Sequence, residues 1–83
     1  MKEARSVGVV AIIVKDRKSA TRVNEITTEF GDVIIGRMGL PYHERNLNII
    51  TLMVDASTDV IGSLTGKLGQ IENVTVKSTL AKI

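Results

Sequence analysis

The chain has 83 residues, with 11 lysines and arginines against 9 aspartates and glutamates, 43% apolar residues, one tyrosine, one phenylalanine and no cysteine. That length holds a single domain, residues 1–83, built as two layers around an aliphatic core. The lack of cysteine excludes a disulfide framework, thiolate metal centres and thiol chemistry. The net charge of +2 is spread along the chain without blocks, a pattern that gives direct nucleic-acid binding only a weak electrostatic footing.

Met1 to Ser6 is polar and is expected to fray. Val7 to Val14 is apolar on both faces and β-branched, so it reads as a strand buried from two sides. Lys2 and Arg5 before this run resemble the start of a signal peptide. The run is short for one, however, and Lys15-Asp16-Arg17-Lys18 stands where small residues would be cleaved. No stretch is long enough to span a bilayer, and a cytoplasmic protein without membrane attachment is expected. Asp16 then caps a helix whose stripe is Val23, Ile26 and Phe30, with Arg22, Glu25 and Glu29 turned to water. Gly31 is expected to end it in the left-handed conformation.

Asp32 to Leu40 is the second strand. Simple alternation puts Ile34, Gly36 and Met38 on one face and Val33, Ile35 and Arg37 on the other. An arginine and two glycines in a strand suggest an edge, with a bulge. Pro41 to Asn46 is a polar turn, and Leu47 to Val54 is a third strand, apolar on both faces. Ser57 caps a second helix, with Asp59 favourably placed in its first turn and Ile61, Leu64 and Leu68 as its stripe; Gly69 closes it. Val74 to Leu80 alternates cleanly, as an edge strand with one wet face does.

The order is βαββαβ. Right-handed crossovers put both helices on one side of the sheet, and the two strands apolar on both faces belong in its centre. The expected fold is α+β: a ferredoxin-like βαββαβ sandwich with a four-stranded antiparallel sheet and two helices on one face. The other face is then bare, and the central strands are aliphatic in either phase. Several exposed valines and isoleucines, each worth about 1.5–3 kcal/mol when buried, make an apolar patch too large for a soluble monomer. A homo-oligomer is expected, joined through the open sheet face or the edge strands. Gly62 and Gly66, four apart in the second helix, each cost about 1 kcal/mol relative to alanine; tight packing against the sheet or the other helix is expected there ahead of a ligand or partner surface.

Residues with catalytic or metal-binding patterns are scarce. His43-Glu44 begins like a zinc-protease helix, but no second histidine follows four residues on, and one histidine holds no metal. Gly66-Lys67-Leu68 lacks the hydroxyl residue and glycine spacing of a P-loop, and Gly36-Arg37-Met38-Gly39 is too sparse to cradle a phosphate. No nucleophile has a base and an orienting partner. The central strands carry no aromatic residue on which RNA bases could stack. An enzyme is not expected, nor any cofactor or metal. Arg17, Arg37, Arg45 and Lys67 read as solvated surface charge.

The segments Phe30-Gly31-Asp32-Val33-Ile34-Ile35-Gly36-Arg37-Met38-Gly39-Leu40-Pro41-Tyr42 and Leu64-Thr65-Gly66-Lys67-Leu68-Gly69-Gln70-Ile71 resemble those of the "putative iron-only hydrogenase system regulator" family. The resemblance runs from Val7 to Lys82 and implies a stand-alone ACT-like regulatory domain. More distantly, Val9 to Ile35 is similar to the C-terminal domain of nickel-responsive repressors. The nickel ligands of those proteins have one counterpart here at most, His43 at an offset position, and their ribbon-helix-helix segment has none in these residues. By analogy with ACT domains, the resemblance implies a small effector or protein partner bound at subunit junctions. It points to Asp16 and Arg17 at the first strand–helix turn, and to Arg37, Tyr42 and His43 around the second-strand turn. An assembly adaptor without a small ligand and a direct DNA-binding regulator are the alternatives.

Overall fold

The computed structural model describes residues 5–82. Its elements run β1 (Ser6–Val14), α1 (Arg17–Glu29), β2 (Ile34–Tyr42), β3 (Leu47–Ala56), α2 (Thr58–Gly69) and β4 (Val74–Lys82), with short 3-10 turns at Gly31–Val33 and His43–Arg45. The sheet order is β2-β3-β1-β4 with every neighbour antiparallel. This is the ferredoxin-like fold expected from the pattern of apolar runs.

The core lies between helices and sheet. Val10, Ile12 and Val14 of β1 and Ile50, Leu52, Val54 and Ala56 of β3 meet Val23 and Ile26 of α1 and Ile61, Leu64 and Leu68 of α2. Both helices start on side-chain caps. The Lys18 amide donates to Asp16 Oδ1 at 3.0 Å, and the Val60 amide donates to Ser57 Oγ at 3.3 Å, each satisfying an amide that the first turn leaves free. Between the helices, Lys67 Nζ donates to Glu29 at 2.7 Å and sits 5.4 Å from the centre of the Phe30 ring. Lys67 is therefore a helix–helix clasp rather than a free surface charge.

Several expectations change. Ser6 is no frayed residue: it opens β1, pairs with Ala56 and Lys82, and is buried; residues 1–4 lie outside the described part. Gly31 is not a left-handed cap. No described glycine has positive φ, and helix α1 ends at Phe30 (φ −100°), passing into the 3-10 turn that takes up Asp32 and Val33. The left-handed positions belong instead to Asn46 and Asn73, asparagine being the residue that tolerates them best after glycine.

The second strand starts later than expected, and its faces are out of phase. The predicted bulge is present between Ile34 and Gly36, and its extra residue, Ile35, is 64% exposed. Because a bulge shifts alternation by one, Ile34 faces the helices beside Val54. Gly36, Met38, Leu40 and Tyr42 then lie on the open face, opposite Met53, Thr51, Ile49 and Leu47. Arg37 is thereby turned toward the helices, away from Met38. The strand also continues through Pro41 and Tyr42, so the turn is only His43 to Asn46.

Candidate functional site

Antiparallel order gathers three connections at one end of the sheet: β1 to α1, β2 to β3, and α2 to β4. The Lys15 amide donates to the Asn73 carbonyl at 2.9 Å, and Ser19 Oγ donates to the Glu72 carbonyl at 2.7 Å. These bonds tie the first and third connections together. Between the first and second lies a cleft of about 280 Å³ lined by Val14, Lys15, Asp16, Arg17, His43, Asn46, Leu47 and Asn48.

Three of the five residues singled out from the sequence, Asp16, Arg17 and His43, thus share one cleft. The other two stand elsewhere. The Arg37 guanidinium donates to Asn24 Oδ1 at 2.8 Å and to Thr27 Oγ1 at 3.1 Å, pinning β2 to α1. Tyr42 is on the open sheet face, paired with Leu47. The sequence reasoning missed Lys15, Asn46 and Asn48. Lys15 adjoins the expected cap, Asn46 closes the hairpin turn and Asn48 follows it, so an antiparallel hairpin beside the first strand–helix turn was the signal that would have found them.

The cleft is cationic. Lys15 and Arg17 bring two positive charges, while Asp16 has one carboxylate oxygen committed to the Lys18 amide. His43 has no company for metal binding: among the described residues no three His, Cys, Asp or Glu side chains cluster within ligating reach. None of the described helices is long and apolar enough to cross a membrane.

The sheet face away from the helices is the second feature. It carries Val7, Val9, Ala11 and Ile13 of β1, Ile49, Thr51 and Met53 of β3, and the β2 residues named above. Of the seven large hydrophobic residues exposed among those described, five belong here: Val7, Val9, Met38, Leu40 and Tyr42. Scattered exposure would need no explanation; concentration on one face does.

A third feature reverses an expectation. Gly62 and Gly66 are not packed against the sheet or against α1. A Cβ placed on either, or on Gly69, meets nothing within 4 Å, and these glycines line an open groove beside Val76 and Ser78 of β4. Gly62→Ala and Gly66→Ala are each expected to raise stability by about 0.4–1 kcal/mol, read as a higher urea midpoint. A lower midpoint would show that something covers the groove in solution.

The family model that matches this chain is TM1266-like, "Iron-only hydrogenase system regulator, putative", over residues 6–78. The solved structure of uncharacterized protein TM1266 from Thermotoga maritima is similar at a TM-score of 0.89 and 38% identity, over 94% of this chain and 99% of that one. No curated protein matches.

Proposed function

Because the chain belongs to the TM1266-like family of "putative" iron-only hydrogenase system regulators, we propose that it is a non-catalytic regulatory domain. It works as a homo-oligomer that binds a small effector or a protein partner. The observation that carries this reading is the position of the cleft. Leu47 lines it and also lies on the apolar sheet face, so a ligand seated by Arg17 and His43 adjoins the surface where subunits meet. A bound ligand that prefers one subunit arrangement shifts the population toward it.

The balance of charge in the cleft selects an anionic effector, a small carboxylate or phosphate compound. A thermal-shift screen over amino acids, nucleotides and metal ions tests this. Stabilisation by one anionic class is expected, and Arg17→Ala combined with His43→Ala should abolish it while leaving the unliganded melting temperature within a few degrees. If no compound shifts the melt, or the double variant responds like the parent, the effector site is not here and the assembly-adaptor reading takes its place. DNA binding in a mobility-shift assay that weakens steeply with salt would favour a direct regulator instead.

A further inference from the structure

We infer that the open sheet face is covered by the same face of a second copy, with the two-fold axis running along the strands so that β2 of each copy lies over β4 of the other. This rests on the homo-oligomer reading above and fixes its geometry.

Area comes first. Nine-residue strands at about 3.3 Å per residue, four of them about 4.8 Å apart, give a footprint of roughly 30 by 19 Å, or about 570 Å² per copy. Two such faces bring together about 1,100 Å² before side-chain corrugation is counted, which clears the roughly 1,000 Å² expected of a specific interface. Edge-to-edge pairing would leave that apolar face in water.

Shape and charge then select the axis. Register places Met38, Thr51, Ala11 and Lys77 in one row across the four strands. The next row is Leu40, Ile49, Ile13 and Thr75. The face is therefore tall and apolar at Met38 and Leu40 of β2, low in the middle at Ala11 and Thr51 beside the higher Ile13 and Ile49, and polar along β4, where Lys77 is flanked by threonines. A two-fold axis along the strands maps each row onto itself, reversed. Met38 then covers Lys77 of the second copy, Leu40 covers its Thr75, and Thr51 covers its Ala11. Leu40 thus meets a short threonine, Met38 lies along the aliphatic stem of Lys77, and the two Lys77 ammonium groups stay on opposite flanks, free to reach water at the rim. An axis across the strands would instead stack tall β2 on tall β2 and bring the two lysines together on one flank, which like-charge repulsion opposes.

The absence of native cysteine makes the test clean. Facing sheets lie about 10 Å apart, too far for a direct disulfide, which needs Cα atoms within about 7 Å, so a short bis-maleimide is the probe. Differently tagged Met38→Cys and Lys77→Cys chains are co-expressed and treated. The expected result is a covalent species carrying both tags, with neither variant linking to itself when expressed alone. The row of Leu40→Cys and Thr75→Cys provides the same readout if either first substitution dissolves the oligomer by light scattering. Self-linking of Met38→Cys, self-linking of Lys77→Cys, or an intact oligomer with no mixed link would each overturn the geometry. A parent protein that scatters as a monomer at micromolar concentration would instead bring down the homo-oligomer reading itself.

Discussion

Val9→Glu is expected to give a folded monomer. Val9 points away from the helices and is 38% exposed in the single chain, so a glutamate there is solvated when the chain stands alone and disturbs no core contact. Across a face-to-face pair the same carboxylate is buried with no cation opposite. Burying an unpaired charge costs several kcal/mol. At about 3 kcal/mol for each of two copies, the dissociation constant rises by about four orders of magnitude. Light scattering should show one subunit's mass at concentrations where the parent is paired, and the circular dichroism spectrum should be unchanged. An oligomer that persists would show that the bare side of the sheet is not where the subunits meet.

One residue earlier, on the opposite face of the same strand, the expected outcome is a loss of stability. A Cβ on Gly8 would lie 2.5 Å from the Thr79 carbonyl oxygen and collide with the Leu80 side chain. Leu80 is exposed enough to swing aside, but the carbonyl belongs to the β1–β4 ladder and cannot retreat without opening it. Gly8→Ala is therefore expected to cost about 1–3 kcal/mol, lowering the melting temperature by several degrees per kcal/mol in a domain of this size. Gly36→Ala is the internal control. Its nearest obstacle is the Met53 methyl at 2.8 Å, the free end of a flexible side chain, so it should cost much less. Equal losses at the two positions would contradict the account of Gly8.

The layer arrangement, the strand order and both helix caps could be read from the residues because each rests on local chemistry: apolar period, β-branching, and Asp16 or Ser57 ahead of a helical stripe. Phase within the second strand could not. The bulge was expected, but its position decides which side chains face the helices, and nothing local to Ile34-Ile35-Gly36 says which residue is the extra one. Arg37 illustrates the result: its guanidinium finds Asn24 and Thr27, partners that only the tertiary fold brings near. The glycines of α2 misled for a related reason. Their helix-propensity cost is evident in the sequence, but the space beside them depends on how far the β4 edge lies from the helix. In the cleft, Asp16, Arg17 and His43 come together because the sheet is antiparallel, while the asparagines that complete it carry no mark until the hairpin is folded.

The two outer strands differ in a way that bears on solubility. On β2 the unpaired rim is interrupted by the Ile35 bulge and by Pro41, which has no amide hydrogen to offer; β4 is continuous from Val74 to Lys82. Irregularity of that kind blocks docking of a foreign strand. A lone chain with one receptive flank and one closed flank cannot string together end on end, because the first union at the receptive side uses it up. For chains that have not yet paired face to face, growth toward amyloid-like fibrils by this route is thus capped at a pair, a safeguard suited to a small aliphatic protein.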